Sequence, residues 1–306
     1  MSVALLFPGQ GTQHAAMLPW LDSSQDAAPL LAKMAGVLGN DWRERLGDGG
    51  WAHANAVAQP LVTGASLAAW AALSSGLPRV VAVAGYSVGE LASCAATGLL
   101  SASDAIALSV RRAAAMDACA GDVAAGLLGL SNVDADDVAA ACARWDLEIA
   151  IRTGERRCIV GGATAALAEA ASHLAARGAK ATPLGVRVAS HTRAMRAAVA
   201  ALAQALATAR WHAPRAAWVA GITGAVVRDV VEVQRLLAEQ VATTVLWDSC
   251  MDTVAERRPD AVLEVGPGDT LARLWRERHP AIPVRSCDEF ASAAQVLAWV
   301  GETSAP

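Results

Sequence analysis

Ser87 lies in Gly85-Tyr86-Ser87-Val88-Gly89, the G-x-S-x-G spacing that can make a serine a nucleophile. A sharp turn from strand to helix pushes such a serine into an exposed, strained position. The flanking glycines let neighbouring backbone pass without a Cβ clash. The helix N-terminus then offers N–H groups and a positive dipole end to a developing oxyanion. The pentapeptide alone is a weak signal that arises often by chance; a strand before it and a helix after it favour a nucleophile over a plain structural turn. A serine hydroxyl also needs a base. Of the six histidines, His191 in Ser190-His191-Thr192 follows an expected strand, a setting His14, His53, His173, His212 and His279 lack. A lone histidine is usually a satisfied polar residue, so His191 becomes a candidate base only in combination with Ser87.

Two further features have the right chemistry. Phe7-Pro8-Gly9-Gln10-Gly11-Thr12-Gln13 frees the backbone at the end of the first expected strand. Such a loop can lend an N–H to an oxyanion hole, or simply turn the chain. Arg111-Arg112 falls late in a helix made apolar by Ala107, Leu108 and Ala113 to Ala115. The pair is either a solvated face or holds a buried guanidinium, which is costly without an anion. A substrate carboxylate is an anion that guanidinium grips bidentately.

These residues need elements to hold them. Strands are expected over 3–7, 79–84, 217–221 and 261–265, and helices over 88–96, from 102 to about 119, and over 193–210, 230–240 and 247–256. Ser101 is a good N-cap with Asp104 three residues on. A further helix starts near Asp269, after Gly266-Pro267-Gly268. Between them, 124–130, 147–152, 158–160 and 181–188 read as strands and 135–143 and 164–177 as helices. That βαββαβ order is the split-βαβ arrangement. The fold class is therefore α/β: a parallel-sheet, α/β-hydrolase-like large subdomain over 1–120 and 189–306, with an inserted ferredoxin-like small subdomain over 121–188.

Composition narrows the function. With 54% apolar residues in 306, the chain can bury one large core or two unequal ones. A net charge of -4 makes nucleic acid a poor partner. No apolar run approaches the roughly 20 residues that span a bilayer, so no membrane is expected. The N-terminal apolar run reads as a buried strand rather than a signal segment. The six cysteines form no CxxC pair and no metal-ligand spacing with histidine. They read as reduced thiols of a cytoplasmic protein, with no metal and no tightly bound cofactor.

Taken together and in order, these motifs resemble the malonyl-CoA:acyl-carrier-protein transacylase family, which includes the acyltransferase domains of fatty-acid and polyketide synthases. The resemblance covers essentially the whole chain. It implies Ser87 as nucleophile and His191 as base, with the N–H groups of Gln10 and Val88 forming the oxyanion hole. Arg112, not Arg111, falls at the position that holds the malonyl carboxylate. Gln240, seven residues before Trp247, matches a residue whose backbone carbonyl orients the base, and Glu264-Val265-Gly266-Pro267-Gly268 matches a late loop. The substrate implied is malonyl-CoA and the partner an acyl carrier protein.

Two departures stand out. Tyr86 replaces the usual histidine before the nucleophile, and Ala150-Ile151-Arg152-Thr153-Gly154 replaces an Asn-rich stretch. Both look more like the acyltransferase (epsilon) subunit of malonate decarboxylase, which would add other decarboxylase subunits as partners. Arg152, Arg156 and Arg157 then become candidate docking cations for an acidic carrier, or plain solvated charges. A serine esterase or thioesterase is a rival of another class, but hydrolases place their histidine late, after an acid. His191 stands well before the end of the 306 residues, and no aspartate stands out as its orienter. A scaffold subunit that kept the fold is the non-catalytic rival.

Overall fold

The computed structural model describes residues 2–119 and 123–303. Eleven strands among them form two sheets. The larger sheet contains β1 (Ser2–Phe7), β2 (Arg79–Gly85), β7 (Ala217–Val219), β8 (Val226–Val227), β10 (Ala261–Glu264) and β11 (Val284–Ser286), in the order β11-β10-β1-β2-β7-β8. Every pairing is parallel except β7 with β8. Its strands are apolar on both faces, as a parallel sheet covered by helices requires: Val3 to Phe7 are all fully buried. Because β1, β2 and β10 are parallel neighbours, the loops after them emerge at one edge, where α/β sheets bind their ligands.

The helices of more than two turns, in chain order, are α1 (Ala28–Leu38), α2 (Asn55–Leu73), α3 (Gly89–Ala96), α4 (Ala102–Asp117), α5 (Ala135–Trp145), α6 (Thr164–Ala175), α7 (Ala198–Ala207), α8 (Val230–Glu239), α9 (Trp247–Ala255), α10 (Thr270–Arg278) and α11 (Ala293–Thr303). Ser101 caps α4 as expected, its side chain accepting the Asp104 N–H. Sequence reading does not pick out α2. Though it includes Asn55, Gln59, Thr63 and Ser66, its 19 residues have the length and mean hydropathy to cross a bilayer, which the expectation of no long apolar run did not anticipate. In the fold it is a core helix, packed between α1 and α4 with most of its side chains buried.

The smaller sheet contains β3 (Ala125–Ser131), β4 (Glu148–Gly154), β5 (Arg157–Ala163), β6 (Lys180–Pro183) and β9 (Val245–Leu246). The order β6-β3-β5-β4, antiparallel and backed by α5 and α6, is the ferredoxin-like arrangement. Three expectations shift. The strand expected over 181–188 ends at Pro183, and the chain leaves the sheet to carry His191 toward the larger one. The helix expected over 193–210 begins as a 3₁₀ turn, Arg193–Met195, before α7. A fifth strand, β9, comes from outside 121–188 and pairs parallel with β4, Ile151 opposite Val245 and Arg152 opposite Leu246. The boundary expected at 120–121 lies outside the described residues.

Candidate active site

The turn between β2 and α3 is built from its glycines. A Cβ on Gly85 would stand 2.3 Å from the Glu90 nitrogen, and one on Gly89 would stand 2.3 Å from the Phe7 oxygen. Neither position can carry a side chain, so the elbow closes tightly against the loop after β1. The Tyr86 N–H donates to Phe7 O at 2.9 Å, joining the two. Ser87 at the apex has φ 56°, a left-handed conformation that strains a non-glycine residue. His191 shares the feature, with φ 63°.

The structure brings the expected residues together. Ser87 Oγ lies 2.8 Å from His191 Nε2. His191 Nδ1 lies 2.7 Å from the Gln240 backbone oxygen. A carbonyl can only accept, so Nδ1 carries the proton and Nε2 is left to take one from Ser87. The His191 N–H donates to Val241 O at 2.7 Å, tying its backbone to the same 3₁₀ turn, Gln240–Ala242. The orienting group is a main-chain oxygen, where a hydrolase places a carboxylate.

Arg112 reaches this pair from α4 and is almost fully buried. Its guanidinium donates to Gln59 Oε1 at 2.8 Å and Gln240 Oε1 at 2.9 Å, and its Nη2 stands 3.4 Å from Ser87 Oγ. Arg111 faces outward and reaches Thr208. Burial lowers the Arg112 pKa to about 10, against the charge of Glu90, so it stays a cation at neutral pH. Among the described residues, neither the Gln10 nor the Val88 amide N–H has a hydrogen-bond acceptor, which leaves both free for an oxyanion. Beside Gln10 a cavity of about 290 Å³ opens between the sheets, with Tyr86 and Ile159 in its wall.

The loop after β10 buttresses the loop after β1. Val265 N–H donates to Leu6 O, and a Cβ on Gly266 would run into Pro8 and Ser66. Asp288 then holds both ends: its carboxylate accepts from the N–H groups of Gly268 and Leu18 and contacts His14.

Sequence reading assigned no role to two residues of the site. Gln59 on α2 binds Arg112. Glu90, on the first turn of α3, is 2% exposed and accepts from the Gly221 N–H and the Gln240 side-chain amide. The signal for Glu90 was the one used for Arg112, a charge in an otherwise apolar helix. Burial pushes the Glu90 carboxyl up to about 8, while Gly221, Arg112 and Gln240 pull the other way.

Burial, then the Arg112 cation, lowers the His191 pKa to about 3, and the bond to Gln240 O opposes both. His191 is therefore neutral well below the ordinary imidazole range. In kcat/KM for acylation, which reports the free enzyme, no inflection is expected between pH 6 and 7. An inflection near 6.5 would show that His191 titrates as an ordinary histidine.

The chain matches the family described as "Acyl transferase domain" over residues 4–296. It is 32% identical over 291 residues to the malonyl CoA-acyl carrier protein transacylase of Mycobacterium tuberculosis, covering 93% of this chain and 95% of that protein. Among solved structures it superposes on an acyl-carrier-protein S-malonyltransferase from Burkholderia pseudomallei with TM-score 0.89 at 28% identity, covering 97% of this chain and 100% of that one. A malonyl-CoA:acyl carrier protein transacylase from Xanthomonas oryzae gives TM-score 0.90 at 28% identity, covering 97% and 98%.

Proposed function

The chain belongs to the acyl transferase domain family, and from that premise we propose that it moves a malonyl group from malonyl-CoA to the thiol of an acyl carrier protein through a malonyl-Ser87 ester. The observation that carries this reading is the convergence on one oxygen: Ser87 Oγ has His191 Nε2 at 2.8 Å and Arg112 Nη2 at 3.4 Å. A base and a fixed cation beside one hydroxyl suit an acyl group that ends in a carboxylate.

His191 takes the Ser87 proton as Oγ attacks the thioester carbonyl. The Gln10 and Val88 N–H groups receive the oxyanion. The tetrahedral intermediate collapses, the C–S bond breaks, and CoA thiolate leaves with the proton from His191. The carrier thiol then gives its proton to His191 and attacks the ester, and Ser87 regains a proton as it departs. Arg112 holds the free carboxylate throughout. The cycle calls on no metal or tightly bound cofactor, only malonyl-CoA as substrate. The main-chain orienter of His191 supports transfer over the esterase or thioesterase reading. Incubation with malonyl-CoA should add a malonyl mass to the peptide containing Ser87. Labelling elsewhere, or none, would overturn the proposal.

The finer reading places the carrier in malonate decarboxylase, supported by Tyr86, whose ring stands edge-on to Trp247 at 5.2 Å, and by the 150–154 segment. The relatives' names favour a general acyl carrier instead. The candidate docking cations on and just after that segment are already engaged: Arg152 with Asp248, Arg156 with Asp134 and Arg157 with Glu277. Surface pairs of this kind are weak enough to exchange with an acidic partner. Equal amounts of a decarboxylase-type carrier and a fatty-acid carrier should compete for limiting malonyl-CoA. The decarboxylase assignment expects its own carrier to win, with salt weakening the preference. Preference for the fatty-acid carrier would remove that assignment and leave malonyl transfer intact.

A further inference from the structure

The Gln240 side chain sits among three groups whose hydrogen-bonding roles are fixed. Its Nε2 donates to the Ser87 carbonyl at 3.1 Å and to a Glu90 carboxylate oxygen. Its Oε1 accepts from Arg112 Nη2 at 2.9 Å. Turned over, the amide would set an NH₂ against a guanidinium and an oxygen against a carbonyl and a carboxylate, losing all three bonds. The other Glu90 oxygen accepts the Gly221 N–H, so the carboxylate is itself pinned to the loop after β7. Glu90 is three residues from the nucleophile on the same turn, but the Glu90–Gln240 contact spans 150 residues.

We propose that Glu90 is a positioning residue for acyl-group selection: its carboxylate holds the Gln240 amide oxygen on Arg112, so that the guanidinium is presented at Ser87 for a substrate carboxylate. Gln240 then performs two separable tasks. Its main-chain oxygen sets the His191 tautomer, and its side chain, aimed by Glu90, sets the cation. When ionised, Glu90 also raises the Arg112 pKa against the effect of burial. Gln59 supplies the second fixed acceptor, so the guanidinium is held from two sides and keeps Nη2 near the serine.

The inference rests on the malonyl-transfer reading. Glu90→Gln preserves shape but exchanges one acceptor for a donor, so it cannot satisfy both Gly221 N–H and the Gln240 amide. Acylation of Ser87 is followed by mass with malonyl-CoA and, separately, acetyl-CoA. The malonyl-over-acetyl ratio of kcat/KM should fall about tenfold to a hundredfold, the range for a lost hydrogen bond to a charged group, with acetyl transfer retained. Glu90→Asp, which keeps the charge but shortens its reach, should lower the ratio too, and stands in if thermal melting shows Glu90→Gln unfolded. Equal losses for both acyl-CoAs would overturn the proposal in favour of a plain structural role. If wild-type Ser87 acquires no malonyl group, the functional reading fails. If it does and the ratio stays unmoved, only the role of Glu90 fails.

Discussion

Replacing Ser87 with alanine should lower transfer from malonyl-CoA by about 10³-fold or more, because nucleophile and base act as a unit. The substitution removes the one oxygen on which His191 and Arg112 converge. It does little else. Ser87 is only partly buried, its carbonyl still accepts from Gln240, and the elbow is held by Gly85 and Gly89 rather than by the hydroxyl. The left-handed φ of 56° suits alanine no better than serine, so the melting temperature should change little. His191→Ala should lose a similar factor, and the double variant little more than either alone. A serine-to-alanine variant that still takes up malonyl at the wild-type rate would remove Ser87 from the mechanism.

The second large effect is expected at Arg112. Arg112→Ala should cost about 2–5 kcal/mol in malonyl transfer, since a buried carboxylate would lose its partner, while acetyl transfer is spared or improved. The fold should also suffer. Gln59 Oε1 and Gln240 Oε1 both lose their donor, at a cost of about 1–3 kcal/mol for each buried group left unsatisfied. Melting curves and the two acyl-CoA rates therefore separate the roles. Equal losses for malonyl-CoA and acetyl-CoA would make Arg112 a structural residue. Retained malonyl selectivity would do the same.

Local chemistry made the elbow legible. Gly85, Ser87 and Gly89 declare a tight turn once a strand precedes them and a helix follows, and Ser101 with Asp104 declares a helix start. The βαββαβ order was readable because each piece has its own period and stop. Less was visible where the information is long-range. Helix α2 has no side-chain cap, with Ala54 at its N-cap and Pro60 inside it, so neither its limits nor Gln59 announce themselves. Glu90 is intelligible only once residues 221 and 240 lie against it. Residues 184–188 complete the strand expected over 181–188, but in the fold they leave the sheet and lead His191 toward the larger one.

Strand β9 bears on how the protein is made and rebuilt. A chain emerging from the ribosome completes β3 to β6 well before residues 245–246 exist, and until then β4 presents unpaired N–H and C=O groups along its outer side. Thr244, which donates to Ile149 O at 2.7 Å, and Asp248, which pairs with Arg152 at 2.7 Å, close the same seam. The nascent smaller sheet thus has an adhesive edge that only later-synthesised sequence can cover. A chimera that borrows 121–188 from a relative would meet a foreign edge at this seam, so the transplant has to bring residues 244–248 with it.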